Sequence, residues 1–175
     1  PQELTNCVDS AEREYLPRGI TETLSTLDFI DSGLNVCILG PSDSGKSYLA
    51  KAIGIVACNN YKVEYHHCEP LLEELVALKA VDYSKYQKRL KKTCGAALLI
   101  LDDFLLHTIT DEREVKILFE ILEKRCEINL STIICSQREP ASWSSMILND
   151  EVSANAILKR ATKHYTVVIK PRMAD

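Results

Sequence analysis

Short runs of apolar residues alternate along this chain with longer segments in which apolar residues recur every three or four positions. Five segments have the composition of strands: Val36–Leu39, Lys62–His66, Ala96–Leu101, Thr132–Cys135 and Thr166–Ile169. Most of these runs are continuously apolar, which is typical of strands that are buried on both faces of a sheet. The pattern therefore predicts an α/β fold, a three-layer sandwich in which helices cover both faces of a mainly parallel five-stranded sheet.

The helical spacing predicts where the covering helices lie. Helices are expected at residues 20–31, 48–59, 111–126, 141–148 and 153–160, and two more follow Pro70 and Ser84, the second ending near Gly95. Proline suits a first helical turn, and serine is a good helix cap. We expect residues 1–34 to form an N-terminal helical lead-in, 35–170 the core domain and 171–175 a tail. The chain begins at Pro1 without a methionine, which leaves open an N-terminal domain outside it.

Residues 40–47 read Gly-Pro-Ser-Asp-Ser-Gly-Lys-Ser, between a predicted strand and a predicted helix. This is a complete G-x-x-x-x-G-K-S phosphate loop in the context that such a loop requires. Its glycines let backbone N–H groups point at phosphate oxygens, and the helix N-terminus adds positive potential. The alternative is a chance match in a turn rich in glycine and serine. The predicted nucleotide-binding residues are Gly40, Pro41, Ser42, Asp43, Ser44, Gly45, Lys46, Ser47 and Tyr48.

Within this loop, individual side chains have different expected roles. Lys46 can reach the β- and γ-phosphates of ATP, and the Ser47 hydroxyl can bind Mg²⁺. Asp43 is compatible with an anion site only if its carboxylate points to solvent, because a negative charge inside the loop would repel phosphate.

Two acids, Asp102 and Asp103, end the apolar strand that begins at Ala96. Asp102 is predicted to hold Mg²⁺, mostly through water, and Asp103 to polarise the water that attacks the γ-phosphate. The alternative is a strand followed by an Asp-rich turn. Carboxyl ends of parallel strands meet at one edge of a sheet, where ligands bind. The acids, Gly40 and Gln137 all fall at such ends, so we expect them to lie together.

Two further polar residues have open interpretations. Gln137 can sense the γ-phosphate or orient the water, or it is a surface amide at the end of a strand. Arg160 ends a predicted helix, where a basic residue is common. Alternatively, it is an arginine finger that reaches the ATP of a neighbouring subunit. The residue pattern alone does not decide between these roles.

Composition and charge narrow the class of protein. The chain has 175 residues, of which 46% are hydrophobic, and a net charge of −4. This charge argues against a uniformly basic nucleic-acid clamp. No apolar stretch approaches the roughly 20 residues of a membrane span. The seven cysteines form no C-x-x-C pair, and we interpret them as reduced thiols of a cytoplasmic protein. The sequence His66-His67-Cys68 is a poor metal site, since neighbouring strand residues point to opposite faces.

One local cluster is strongly basic: Lys85, Lys88, Arg89, Lys91 and Lys92. These residues lie on a predicted helix and are candidate contacts for DNA phosphates. The alternative is a solvated helix face. Tyr83, Tyr86 and Leu90 share another face of this helix, where we expect core anchors rather than bases stacked on the rings.

Several segments together resemble the ATPase core of the IstB/DnaC-like group of AAA+ proteins, which are insertion-sequence transposition helpers and bacterial helicase loaders. The resemblance extends from Tyr15 to Ile169. It is carried by the phosphate loop, by Leu99-Ile100-Leu101-Asp102-Asp103-Phe104, by Ser131-Thr132-Ile133-Ile134, by Ser136-Gln137, by Trp143 and by Ala154-Asn155-Ala156-Ile157-Leu158-Lys159-Arg160. Ser136-Gln137 and Trp143 resemble the transposition helpers more than the loaders.

This resemblance implies a sheet with strand order 5-1-4-3-2, an ATPase that requires ATP and Mg²⁺, ATP-dependent oligomers, and DNA as the surface on which they assemble. It implies that Asp102 and Asp103 form the Walker B pair, that Gln137 is a sensor, and that Arg160 acts on a neighbouring subunit. The expected partner is a transposase or, alternatively, a replicative helicase. A nucleotide-gated adaptor with little turnover is a further alternative. A small-molecule kinase is disfavoured because no Arg-rich lid segment is evident.

Overall fold

The computed structural model describes residues 1–147 and 151–172. Its strands are β1 (Arg13–Leu16), β2 (Val36–Leu39), β3 (Val63–His67), β4 (Leu98–Asp102), β5 (Ser131–Ser136) and β6 (Tyr165–Pro171). Its α-helices are α1 (Ile20–Ser25), α2 (Asp28–Asp31), α3 (Lys46–Ala57), α4 (Cys68–Val81), α5 (Tyr83–Gly95), α6 (Glu112–Glu127) and α7 (Glu151–Ala161). Short 3₁₀ turns lie at Leu4–Asn6, Pro140–Ser142 and Ser144–Met146.

The six strands form one sheet in the order β1-β6-β2-β5-β4-β3. The five strands from β2 to β6 are parallel, and their order is the expected 5-1-4-3-2. The predicted count of five strands is wrong, because β1 adds an antiparallel edge strand beside β6. This strand lies within residues 1–34, where only helices were expected. It has four residues and pairs with a segment near the other end of the chain, so no local pattern marks it.

Helices cover both faces of the sheet, as predicted. On one face, α4, α5, α6 and α7 pack on side chains of alternate strand positions such as Leu99 and Ile134. On the other face, α1, α2 and α3 pack on neighbouring positions such as Ile100 and Ile133. The consecutive apolar residues of β2, β4 and β5 therefore serve two cores at once, which is why these three strands show no polar alternation.

Two helix predictions need correction. The segment 20–31 is not one helix but two, because Leu27 adopts a left-handed backbone conformation (φ 63°) between α1 and α2. The segment 141–148 forms two 3₁₀ turns rather than a helix, and its last residue lies outside the described residues. Apolar spacing alone cannot detect a single left-handed residue or distinguish 3₁₀ from α-helical turns.

The start of α5 also differs from the prediction. Asp82, not Ser84, caps this helix, because its carboxylate accepts the Lys85 backbone N–H at 3.1 Å. Tyr86 is buried, as expected of a core anchor, whereas Tyr83 is 56% exposed and its ring is tilted by 36° against the Tyr86 ring, with 5.7 Å between ring centres. The prediction that both tyrosines anchor the core is therefore wrong for Tyr83.

A fully buried arginine ties α6 to the sheet. Arg125 lies in the last turn of α6 and has no exposed surface. Its guanidinium donates hydrogen bonds to four carbonyl oxygens and one hydroxyl: those of Thr93, Cys94, Ala96 and Ser131, and the Thr132 Oγ1. Burial lowers the pKa of Arg125 to about 10, so the side chain still carries its charge at neutral pH. Arg125 thus satisfies the carbonyls at the end of α5 and joins that end to β5.

Candidate nucleotide-binding site

The phosphate loop connects the carboxyl end of β2 to α3, and two glycines allow its tight path. A β-carbon at Gly40 would lie 2.6 Å from the Ser44 Oγ and 2.8 Å from the Ile169 carbonyl oxygen. Gly45 has φ +102°, and a β-carbon there would lie 2.7 Å from the Arg13 Nη1. A larger residue at Gly40 would therefore press on the backbone of β6, and at Gly45 the left-handed backbone conformation disfavours any residue with a side chain.

The interior of the loop is polar and partly unsatisfied. Among the residues that the structure describes, the Ser44 Oγ is the one buried side-chain oxygen or nitrogen without a hydrogen-bond partner. Lys46 is 9% exposed, and its Nζ donates to the Pro41 carbonyl oxygen at 2.7 Å. Burial lowers the pKa of Lys46, while Asp102, Asp103 and nearby groups act in the opposite direction. A buried hydroxyl and a buried ammonium at the N-terminus of α3 suit an anion with several oxygens.

The acidic pair lies at the carboxyl end of β4. Asp102 is fully buried, and its Oδ1 accepts the backbone N–H of Asp103 at 2.9 Å. Asp103 has a left-handed backbone conformation (φ 53°), and its side chain is 45% exposed. The next residue, Phe104, donates its N–H to the Cys135 carbonyl oxygen at 2.8 Å, which ties this turn to β5. One acid is therefore enclosed and the other faces the solvent.

Two side chains of β3 hold these acids, and sequence reasoning missed both. The Tyr65 hydroxyl donates a hydrogen bond to the Asp102 Oδ2. The His67 Nδ1 lies 2.8 Å from the Asp103 Oδ2. Burial and the bond to Asp102 raise the pKa of Tyr65, which keeps the phenol neutral and able to donate. The available signal was the i, i+2 spacing of two polar rings on the strand adjacent to β4 in the expected order.

The predicted separation of the histidine side chains is also observed. His66 points away from His67 and contacts Glu64 at 2.9 Å. Within residues 1–147 and 151–172, no cluster of His, Cys, Asp and Glu has the arrangement of a metal site. All seven cysteines are free thiols.

An open cleft of about 440 Å³ lies over the loop and the acids. Its lining includes most of the residues expected at a nucleotide site: Ser42, Asp43, Gly45, Lys46, Ser47, Tyr48, Asp103 and Gln137, together with Phe104 and Leu106. Asp102 does not line the cleft directly, because it is enclosed behind these residues. Asp43 is exposed, so its carboxylate can remain in solvent. The ends of β2, β4 and β5 thus meet at one place.

The walls of the cleft are fixed from outside the loop. The Tyr48 hydroxyl accepts hydrogen bonds from the Asn6 side chain at 3.0 Å and from the Glu3 backbone N–H at 3.1 Å. On the opposite wall, the fully buried Trp143 packs edge-on against Phe104 and donates its indole N–H to the Arg138 carbonyl oxygen at 2.9 Å. These contacts give Trp143 a clear role, because they lock the segment after Gln137 to the segment after Asp103.

Arg160 does not join this cleft. Its carbonyl oxygen accepts from the Asn35 side-chain amide at 3.3 Å, and Asn35 immediately precedes β2. The carboxyl end of the same strand leads into the phosphate loop. Arg160 therefore lies at the amino end of the sheet, opposite to the cleft of its own chain, and its residue is exposed.

The basic cluster lies on the exposed side of α5, away from the cleft. Arg89 pairs with Glu74 at 3.0 Å, and Lys92 lies 3.5 Å from Glu64. Over the described parts of the chain, the side chains of Lys85, Lys88 and Lys91 form no ion pair. A groove of about 720 Å³ between α5 and the edge strand β3 is lined by four lysines, Lys62, Lys88, Lys91 and Lys92. Lys62 was not among the predicted residues, since it belongs to a different segment of the sequence.

The parallel sheet, the loop after β2 and the acids at the end of β4 define a P-loop nucleotide-binding domain. Residues 5–171 match the family of IstB-like ATP binding proteins, and the chain belongs to this family. The predicted family and fold class are therefore confirmed.

Individual relatives agree with this assignment. The chain is 34% identical over 166 residues to a protein of Bacillus thuringiensis subsp. berliner that is named as an ATP-binding protein of insertion sequence IS232, covering 92% of this chain and 64% of the relative. It is 39% identical over 151 residues to the insertion-sequence ATP-binding protein y4uH of Sinorhizobium fredii, covering 86% and 58%. The chain thus spans about three fifths of the length of these relatives. A solved structure of the DnaC helicase loader has the same fold, with a TM-score of 0.71, 20% identity and 97% coverage of both chains.

None of the helices described here has the length and apolar character that would be needed to cross a membrane.

Proposed function

We propose that this domain binds Mg²⁺·ATP in the cleft and hydrolyses it. The single observation that carries the proposal is the meeting of a phosphate loop, a buried lysine and two acids at the carboxyl ends of β2 and β4, on either side of β5. Hydrolysis needs an anion cradle, stabilisation of charge on the γ-phosphate and an oriented water. Each of these requirements has a candidate among the residues of the cleft.

The residues fit a magnesium–triphosphate complex. The loop supplies inward-facing donors and the unpaired Ser44 hydroxyl for phosphate oxygens. Ser47 and Asp102 provide hydroxyl and carboxylate oxygens, the ligands that Mg²⁺ prefers, either directly or through water. Bound magnesium would help to neutralise the charge that develops on the β- and γ-phosphate oxygens. Lys46 would exchange the Pro41 carbonyl for a phosphate oxygen, because its partner in the loop is neutral.

Asp103 is the residue that we assign to the attacking water. Its carboxylate lines the cleft and is half-exposed, unlike that of Asp102, so it can contact a water beyond the γ-phosphate. Gln137 lines the same cleft from the end of β5 and can donate to the γ-phosphate. These assignments predict that Asp103→Asn retains ATP binding and loses turnover.

Arg160 fits the role of a finger that completes the site of a neighbouring copy. It is exposed at the edge of the sheet opposite to the cleft of its own chain. A residue placed there can contact ATP only across an interface. We therefore propose that ATP-dependent oligomers form and that each active site is shared between two copies.

DNA is the proposed surface for assembly. Lys85, Lys88 and Lys92 follow at i, i+3 and i+7 of α5, a spacing that places them along one side of the helix. Lys62 and Lys91 extend this positive surface along the groove beside β3. On a chain of net charge −4, this concentration of lysines favours contact with a phosphate backbone.

The proposed partner is the transposase of an insertion sequence. The relatives at 34% and 39% identity are named as insertion-sequence proteins, and this supports the role of a transposition helper. A helicase loader is the second candidate, and the shared fold with DnaC is the observation that favours it. An adaptor that binds ATP with little turnover is a third candidate, which differs from the others in its kinetics.

Steady-state ATPase assays with and without duplex DNA test the proposal. We expect phosphate release by the wild-type chain, stimulation by DNA, and loss of at least about 100-fold in Asp103→Asn with unchanged ATP affinity. Equal rates for Asp103→Asn and wild type would remove the assignment of Asp103. Tight ATP binding with negligible turnover under both conditions would favour the adaptor.

Mixing two inactive variants tests the shared site. Arg160→Ala retains an intact cleft, and Lys46→Ala retains an intact finger. We expect a mixture to recover part of the DNA-stimulated rate, because one copy supplies the cleft and its neighbour the arginine. Absence of recovery at every mixing ratio would contradict a site shared between copies.

A further inference from the structure

Tyr65 occupies the junction between the two elements that supply the candidate magnesium ligands. On one side its hydroxyl donates to the Asp102 Oδ2, at the end of β4. On the other side the Lys51 Nζ lies 5.2 Å from the centre of its ring, in a cation–π contact. The His67 ring packs edge-on against it, with 5.5 Å between ring centres. The ring is therefore held by α3 on one side and by its own strand on the other.

The position of Lys51 connects this contact to Ser47. Both residues belong to α3 and are four positions apart, so they lie on the same side of that helix. The Tyr65 side chain thus contacts a residue of α3 as well as the Asp102 carboxylate.

The hydroxyl also determines the orientation of the Asp102 carboxylate. A carboxylate has about four lone-pair sites, and rotation about its last bond has only a broad preference. The Asp103 N–H binds the Oδ1 at 2.9 Å, and the Tyr65 hydroxyl binds the Oδ2. Two donors on different oxygens fix the plane of the group. Without the phenol, one buried oxygen would lose its donor, and the carboxylate could turn away from the cleft.

We propose that Tyr65 is a positioning residue for magnesium, which holds the Asp102 carboxylate in the orientation that the ion requires. This inference rests on the proposed function, because it assumes that the cleft takes Mg²⁺ with ATP. Outer-shell partners of metal ligands typically change metal affinity by about 10–100-fold when they are removed. Since Tyr65 does not line the cleft, its loss should leave the contacts of ATP without metal unchanged.

The test compares Tyr65→Phe with wild type by titrating a fluorescent ATP analogue in EDTA and at increasing Mg²⁺ concentrations. We expect equal affinities in EDTA and a Mg²⁺ half-saturation concentration that is about tenfold higher in the variant. Tyr61→Phe is the matched control, because the Tyr61 hydroxyl also donates to an aspartate, Asp31, at 2.7 Å and that pair lies outside the cleft. This control should match wild type in both series.

A double-mutant comparison connects the effect to Asp102. In an Asp102→Asn background, Tyr65→Phe should cause less than about a twofold further change, because the carboxylate that it orients is gone. An unchanged Mg²⁺ requirement in Tyr65→Phe would overturn the inference. Equal weakening in EDTA and in Mg²⁺ would also overturn it, since that result indicates a general structural role. If wild-type affinity for the analogue is negligible in both series, the proposed function itself fails, which is a distinguishable result.

Discussion

Lys46 and Arg125 are buried positive charges whose surroundings differ in hydrogen bonding and in access to solvent. Lys46 at the phosphate loop and Arg125 in α6 are both nearly or fully buried. The Arg125 guanidinium donates five hydrogen bonds to fixed acceptors. Within the described residues, the Lys46 ammonium donates one, to the Pro41 carbonyl oxygen. Lys46 also lies at an open cleft beside two acids, while Arg125 has no exposed surface.

The comparison teaches that burial of a charge does not by itself indicate function. A buried cation whose nitrogens all donate to fixed acceptors is part of the framework, since any rearrangement would leave acceptors unsatisfied. A buried cation with spare donors and access to solvent can exchange its partner for a ligand at little cost. The number of unused hydrogen-bond donors therefore indicates a ligand-binding role better than burial does. Replacing each of the two residues by methionine tests this difference.

The largest expected effect is that of Arg125→Met on stability. The change leaves several buried carbonyl oxygens without donors, and we expect the free energy of unfolding to fall by about 3–5 kcal/mol. Urea unfolding followed by circular dichroism measures the loss. Arg125→Lys is the control. Its free energy of unfolding should lie between those of wild type and Arg125→Met, because an ammonium has fewer donors than a guanidinium. A loss below about 1 kcal/mol in Arg125→Met would contradict the framework role.

Lys46→Met should have the opposite effect, a large loss of ATP affinity with little change in stability. We expect ATP affinity to fall by at least about 100-fold, or about 2.7 kcal/mol, because the positive charge that would bind the β- and γ-phosphates is lost. The free energy of unfolding without nucleotide should change little. The substitution removes a buried charge, and the hydrogen bond lost with it is the one to the Pro41 carbonyl oxygen. Calorimetric titration with ATP and urea unfolding of the same variant give both values. Unchanged ATP affinity would refute the assignment of the phosphate loop.

Ser44→Ala tests the unpaired hydroxyl of the loop. Its removal eliminates a buried polar atom without a partner, so we expect equal or slightly higher stability, by up to about 1 kcal/mol. ATP affinity should fall by up to about tenfold, because a phosphate oxygen loses a donor. Ser142→Ala, at an exposed hydroxyl outside the cleft, is the control. A loss of stability without a loss of affinity would mean that Ser44 supports the fold rather than the ligand.

Thr132→Val should have the smallest effect. The Thr132 Oγ1 accepts one of the five Arg125 hydrogen bonds, at 2.9 Å, and valine keeps a similar shape. We expect a loss of about 1 kcal/mol in unfolding free energy and no change in ATP affinity. In an Arg125→Met background the same change should cost clearly less, since its partner is gone. Full additivity of the two losses would show that they do not act through this hydrogen bond.

Much of the fold was predictable because its signals are local. The continuous apolar runs indicated parallel strands, and the phosphate loop between β2 and α3 located the nucleotide site. The strand β1 was not predictable in this way, because it pairs with β6, which lies near the other end of the chain. The break at Leu27 was also invisible, since a left-handed conformation at a leucine has no sequence signature.

For the site, too, residues with local sequence signals were predicted, and contacts between residues distant in the sequence were not. Five residues of the loop, Asp103 and Gln137 were expected to meet and line one cleft, whereas Gly40, Pro41 and Ser44 of the loop do not line it. Tyr65 and His67 were missed because their contacts with the acids join residues 37 and 36 positions apart on neighbouring strands. The exposure of Tyr83 was wrongly predicted, since helical spacing identifies a face but not whether another element covers it.

By itself, the sequence determined the order of strands and helices, the phosphate loop and the acids that follow β4, because each depends on residues within a few positions of one another. Only the tertiary structure decided which side chains hold those acids, that Arg160 lies opposite to its own cleft, and that Arg125 is a framework residue rather than a ligand contact. These features depend on which strands become neighbours and how far each group is removed from water. Burial and pairing are properties of the packed chain, and no short segment contains them.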